Sequence, residues 1–138
     1  MDTPRRNYQE RLLVKSPADV FAFLGGEMAL LEQEQLRVLL LNTRNQVLAI
    51  DQVYKGNVSG ALVRMGELFR EAVRQNAAAI ILAHNHPSGD PSPSADDVSM
   101  TKTAVEAGAL LNIDLLDHII IGDKRYSSMK QLGLGFPS

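Results

Sequence analysis

Two histidines one residue apart, His84 and His86, are followed after a seven-residue loop by Ser94 and, three positions on, by Asp97. Three ligands of imidazole and carboxylate type bind Zn2+ at roughly 2.0–2.2 Å and leave a fourth position for water, the composition of a catalytic zinc site. Zinc lowers the pKa of such a water to about 7, so hydroxide becomes available at neutral pH. The intervening loop, Pro87 to Pro93, is stiffened by prolines at 87, 91 and 93. Side chains two apart on a strand share a face, so His84 and His86 can approach one ion while Asn85 points away. The contiguous string His84-Asn85-His86 is unrelated to the nuclease motif of the same letters, whose residues are dispersed.

Each of these residues also has a plainer role. Ser94-Ala95-Asp96-Asp97 is a capping box, sufficient by itself to explain both its serine and its last aspartate. The two roles are compatible, because a carboxylate that closes a helix start is also held in place by it. A His-x-His pair alone is a weak signal; the pair, the loop length and the Ser-x-x-Asp together are a strong one. Hydrolysis further requires a general base. Inside and just after the loop the other acids are Asp90 and Asp96. Glu34 stands immediately before the apolar run Leu36–Leu41, with Glu32 as its equal, and both read from the residues alone as solvated groups at a strand entrance. His118, beside Asp117 and ahead of another apolar run, reads as a hydrogen-bonded core histidine.

The elements that must position these residues are readable from periodicity. Ser16-Pro17-Ala18-Asp19 is a helix start, with serine as N-cap and proline at the first helical position. Val20, Phe23 and Leu24 line its inner face, and Gly25-Gly26 breaks the helix or divides it from a short piece, Glu27 to Gln33. Leu36–Leu41 and Val47–Tyr54, separated by Asn42 to Asn45, predict a hairpin. A loop from Gly56 to Gly60 leads into a helix carrying Leu62, Met65, Leu68, Phe69, Ala72 and Val73. Ala77–Ala83 is a central strand that runs into His84. A third helix opens at Ser94, faces inward with Val98, Thr101, Val105 and Leu111, and ends within Gly108–Asn112. Leu115–Ile121 is another buried strand, and a short segment at Arg125-Tyr126 precedes a last helical turn over 127–132. Helices alternating with strands around one hairpin predict a layered α/β domain with a mixed sheet.

At 138 residues the chain is one domain. Its 14 basic and 16 acidic residues give a net charge of −2, which supplies no general attraction to a phosphate backbone or an anionic membrane. Arg64, Arg70 and Arg74 read as scattered surface charges. There is no cysteine, so disulfides, thiolate metal sites and the cysteine-ligated zinc deaminases are excluded. Met1–Tyr8 is polar and no apolar signal-peptide core follows it; no run reaches membrane-spanning length. A cytoplasmic location is the expectation.

With these residues in place, the chain resembles the RadC-like branch of the JAMM (MPN-domain) metallopeptidases. That pattern is an upstream Glu, His-x-His, seven residues, Ser, two residues, Asp, and it is matched by Glu34, His84, His86, Ser94 and Asp97. The RadC-like branch is indicated by His84-Asn85-His86-Pro87-Ser88-Gly89, by the lead-in from Phe69-Arg70-Glu71-Ala72 to Ala83, and by Asp117-His118-Ile119-Ile120-Ile121-Gly122. The resemblance implies a single α/β JAMM/MPN-like (cytidine-deaminase-like) domain over 16–132, its mixed sheet flanked by helices. Residues 1–15 would be a flexible or edge-packed segment, and 133–138 a tail.

The resemblance makes His84, His86 and Asp97 the ligands of one zinc ion, Glu34 the general acid/base and Ser94 the stabiliser of the oxyanion. The implied activity is that of a peptidase or isopeptidase, in which a zinc-bound water activated by Glu34 attacks an amide carbonyl. An extended polypeptide substrate would lie near Ser88 and Gly89, where small residues permit close approach. The alternative is a non-catalytic, partner-binding module associated with DNA repair or recombination; the charge does not support direct DNA binding, and a homo-oligomer stays open. Two features depart from the family pattern. RadC-like proteins commonly read His-Pro-Arg-Glu where this chain has Arg64-Met65-Gly66-Glu67, and nothing in residues 1–30 resembles the helix-hairpin-helix region that many of them carry.

Overall fold

The computed structural model describes residues 12–56, 58 and 62–137, so the expectations for residues 1–11 and for most of the Gly56–Gly60 loop lie outside the described residues. The elements in chain order are α1 (Pro17–Met28), β1 (Gln35–Leu41), β2 (Val47–Lys55), α2 (Met65–Arg74), β3 (Ala79–Asn85), α3 (Ala95–Leu111), β4 (Asp114–Ile121), β5 (Tyr126–Ser128) and α4 (Met129–Leu132). The five strands form one mixed sheet in the order β2-β1-β3-β4-β5, as an α/β fold with flanking helices. β1 runs antiparallel to both β2 and β3, whereas β3 and β4 are parallel. A parallel pair cannot be closed by a tight turn, and α3 is the crossover that joins it. No helix of the described residues is long and apolar enough to cross a membrane.

The period of two in a strand divides the apolar residues between two faces. Leu36, Val38 and Leu40 of β1 join Ile80 and Leu82 of β3 beneath Phe69 of α2 and Met100 of α3. Leu39, Leu41, Ile81, Ala83, Ile119 and Ile121 point the other way, against Val20, Leu24 and Met28 of α1. The sheet is therefore the middle of three layers. All seven residues of β3 are buried, which explains why its sequence is apolar without alternation.

Several local expectations need correction. Gly25 and Gly26 do not break α1. The stripe Val20, Leu24 and Met28 carries its buried face straight through them, and packing outweighs the glycine propensity. Phe23 is half exposed; Phe21 instead packs on Tyr126 with ring centroids 5.0 Å apart. Leu62, ahead of α2, and Val73, within it, are exposed, and Leu111 is exposed at the end of α3, where Asp97, Met100, Thr101, Ala104 and Gly108 are the buried residues. The three-residue segment Leu12 to Val14 lies along the turn of the β1–β2 hairpin, with Val14 N–H donating to the Asn45 carbonyl at 2.9 Å.

Candidate metal centre

Register brings the chemical residues together. Leu36 pairs with His84, so the entrance of β1 lies beside the exit of β3. Even-numbered residues of both strands face α2 and α3, and Glu34, His84 and His86 share that parity. The chain then loops from His86 to the first turn of α3, which lies over the same face. The loop is held against the end of β4, because His86 N–H donates to the Ile121 carbonyl at 3.0 Å and Asp123 N–H to the Gly89 carbonyl at 2.8 Å. The carboxyl end of a strand, where the chain leaves for a crossover, is where open α/β sheets place their ligands.

Glu34, His84 and His86 each offer one ligand atom within 4.8 Å of the others, a grouping able to hold a metal ion. Glu34 Oε2 lies 2.8 Å from His84 Nε2. Asp97 lies against both imidazoles, with Oδ2 3.1 Å from His86 Nε2 and Oδ1 3.4 Å from His84 Nδ1. Its position is fixed by the capping box: Ser94 N–H donates to Asp97 Oδ2 at 2.8 Å, and Asp97 N–H donates to Ser94 Oγ at 3.0 Å. Glu32, Asp96 and Ser94 are exposed, and Asp90 turns its carboxylate to Ser92.

The donors do not satisfy one another. His86 Nδ1 lies 2.9 Å from the Asp90 carbonyl, which can only accept, so Nδ1 carries the proton and a neutral ring presents a lone pair to Asp97. Among the described residues His84 Nδ1 is buried without a hydrogen-bond partner, while both ring nitrogens of that residue face carboxylates. Two carboxylates and two imidazoles thus lack positive charge. A protonated ring can supply part of it; one divalent cation supplies it without protons, and the imidazole–carboxylate donor set fits zinc. The titration of the ion-free groups reflects the same deficit. Hydrogen bonding to Asp97 raises the His86 pKa above its usual value against the cost of burial. Burial alone would raise Asp97, but the two imidazoles and the Ser94 N–H outweigh it and hold the carboxyl well below the usual range.

Two residues outside the set Glu34, His84, His86, Ser94 and Asp97 buttress the site. Asn85 points away from the imidazoles, but it accepts from Gln35 N–H at 2.7 Å and donates to the Gln33 carbonyl at 3.1 Å. His118 is completely buried behind His84, ring centroids 5.7 Å apart, with Nδ1 2.7 Å from Thr101 Oγ1. Its pKa is pushed down to about 3 by burial and by the neighbouring His84. Its pairing is that of a core histidine, yet it forms the floor of the site. Spacing in the sequence could not reveal either contact, since one joins residues 50 apart and the other joins α3 to β4.

The Ser88–Gly89 segment has internal reasons for its composition. Gly89 adopts φ +90°, and a Cβ there would meet Asp123 Cβ at 3.2 Å. The close approach is made by the chain itself at Asp123; Ser88 is exposed at the turn.

A family model described as RadC-like JAB domain matches residues 14–134. A UPF0758 protein of Chloroflexus aurantiacus is 52% identical over 132 residues, covering 96% of this chain and 58% of the relative. A UPF0758 protein of Roseiflexus castenholzii is 49% identical over 128 residues (93% and 55%), and one of Moorella thermoacetica 49% over 124 residues (90% and 54%). The chain spans less than three-fifths of the length of these relatives.

Proposed function

The chain belongs to the RadC-like JAB domain family, and from that premise we propose that it is a zinc-dependent hydrolase of amide bonds, a peptidase or isopeptidase acting on an extended polypeptide. The observation that carries the reading is the convergence of Glu34, His84, His86 and Asp97 at one strand end, with ring lone pairs facing carboxylates. His84, His86 and Asp97 would hold the ion. Bound there, zinc would polarise a carbonyl and bring the pKa of its water toward about 7.

The remaining roles belong to the chain. The Glu34 side chain is 30% exposed and reaches both the imidazole and solvent, which suits a group that accepts a proton from water and passes it to a leaving amine. Ser94 Oγ accepts from the Asp97 amide and keeps its own proton available. Donated to the carbonyl oxygen as it gains charge, that proton would contribute a factor of roughly 10²–10³ in rate. His86 is held in one tautomer by the Asp90 carbonyl, the outer partner that an imidazole ligand needs. The exposed turn at Ser88 would offer a surface along which a substrate backbone can lie.

Elemental analysis of the purified protein, combined with cleavage of a random peptide library, tests the proposal. One zinc per chain and cleavage that is lost in Glu34→Gln, with the metal retained, are expected. A His84→Ala protein that has lost its zinc but cleaves at the original rate would overturn it.

A further inference from the structure

Glu34 precedes the first residue of β1, where the backbone ladder to β3 has already ended, yet its flanks are held as firmly as a strand. The last β1–β3 pair is Leu36 with His84. Beyond it, the Gln35 N–H and the Gln33 carbonyl still point toward β3 but, among the described residues, have no backbone partner there. The side-chain amide of Asn85, only 1% exposed, supplies both: Oδ1 accepts from Gln35 N–H at 2.7 Å and Nδ2 donates to the Gln33 carbonyl at 3.1 Å. On the opposite edge the Glu34 carbonyl accepts from Gly56 N–H at 2.8 Å. The peptide groups on both sides of Glu34 are therefore fixed, and a strand residue fixed in this way can send its side chain only to one face or the other.

We infer that Asn85 is the positioning residue for Glu34: its amide replaces a missing strand partner and aims the Glu34 carboxylate at His84. Only a primary amide offers a donor and an acceptor side by side in this geometry. Because Asn85 lies between His84 and His86, the strand that presents both imidazoles also fixes the distance of the carboxylate from them. A second tie lies on the same face as Asn85. Gln35 Oε1 accepts from Arg37 Nε at 3.0 Å, and the Arg37 guanidinium donates to both Glu27 oxygens at 3.2 and 3.0 Å, anchoring the β1 entrance to α1. The catalytic meaning of the device rests on the hydrolase reading, in which Glu34 moves the proton; the placement itself does not.

The test uses metal-free protein for placement and zinc titration for the ligands. By NMR, the wild type should show a slowly exchanging Gln35 amide and NOEs from the Glu34 side chain to the His84 ring. Asn85→Ala should speed Gln35 exchange about tenfold or more and abolish those NOEs. Its zinc affinity should stay within about threefold of wild type. Asn85→Asp, which keeps an acceptor, should retain Gln35 protection. A fast Gln35 amide in the wild type, or Glu34–His84 NOEs that survive in Asn85→Ala, overturns the inference. So does a large loss of zinc in Asn85→Ala with those NOEs intact. If Asn85→Ala does not fold, the wild-type exchange rate and Asn85→Asp decide. A wild type that takes up no zinc would sink the hydrolase reading and leave the metal-free measurements to judge Asn85.

Discussion

His86 Nε2 and Asp97 Oδ2 face each other at 3.1 Å although the proton of the neutral ring is committed, through Nδ1, to the Asp90 carbonyl. Positive charge must enter that gap, and what supplies it sets the dependence of stability on pH. Without metal, the supply is a second proton on His86. Its folded pKa is raised above 6.5, so the stability it contributes is complete below 6.5 and is lost as pH rises through the higher folded value. His118 has the opposite sign. Its folded pKa is pushed down to about 3, so the unfolded chain takes up the proton preferentially and stability is lost as pH falls below 6.5. Asp97, lowered from 3.8, adds to the loss on the acid side. Chelator-treated protein should therefore melt highest near pH 6.5, with a fall on both sides. Zinc binding displaces protons, so the stabilisation it adds should grow with pH and move the maximum upward. Melting curves of the chelated protein that climb steadily to pH 8.5 would contradict the assignment of His86.

The capping box and the proposed ligand set share Asp97, and two substitutions separate them. Ser94→Ala removes the acceptor for Asp97 N–H and should cost about 1 kcal/mol, the usual value of an N-cap. Zinc stoichiometry should be unchanged. Asp97→Asn keeps an oxygen for Ser94 N–H but removes the charge between the imidazoles; zinc binding should fall by at least about 100-fold. Denaturant titration and zinc competition on the two proteins give the comparison. Equal zinc loss in both would mean that the helix start, not the carboxylate, is what the ion requires.

The fold was readable in the sequence where local pattern and tertiary packing agree. The hairpin around Asn42–Asn45, the apolar strands β1, β3 and β4 and the helix beginning after Ser94 stand near their expected places. Reading failed where packing decides. Gly25-Gly26 looks like a break, but the buried stripe through Leu24 and Met28 carries α1 across it. Phe23 and Leu111 look like core residues and lie on the outer surface. The imidazoles and Asp97 could be placed near one another from local spacing and strand parity. Glu34 could be found only through the family pattern, because nothing local ties it to His84; the structure brings it there through the β1–β3 register, while Glu32 stays exposed. The contacts of Asn85 and of Thr101 with His118 depend on register and on helix-over-strand packing, to which a residue pattern is blind.

Thr101 should prove to be a support of the site rather than a filler of the core. It is fully buried and its hydroxyl lies 2.7 Å from His118 Nδ1, with His118 Nε2 already lacking a partner among the described residues. Thr101→Val keeps the volume and leaves both His118 nitrogens unsatisfied, at a cost of about 1–3 kcal/mol. Because His118 lies under His84, zinc affinity should also fall, by roughly tenfold. Thr103→Val, on the exposed side of the same helix, is the control and should change neither quantity. A Thr101→Val protein that loses stability but binds zinc as tightly as the wild type would confine His118 to a packing role.

Gly122 should matter to metal binding although it carries no side chain. It directly follows β4 where the histidine loop crosses, and a Cβ there would clash with the Gly89 carbonyl oxygen and lie 2.7 Å from Pro91 Cδ. Neither neighbour can withdraw easily, because the Gly89 carbonyl is bonded to Asp123 N–H at 2.8 Å and Pro91 is buried. Gly122→Ala must therefore push the loop outward, at about 1–3 kcal/mol for an overpacked site. The displacement reaches the proposed metal ligands through Asp90, whose carbonyl holds His86 Nδ1. Zinc affinity should then fall by roughly 10–100-fold, the effect of losing an outer partner of a ligand. Gly66→Ala provides the contrast. It lies in α2 with nothing among the described residues within 4 Å of the added carbon, so replacement should stabilise the helix by up to about 1 kcal/mol and leave zinc binding alone. If Gly122→Ala loses stability while its zinc affinity stays at the wild-type level, His86 does not depend on the loop for its orientation.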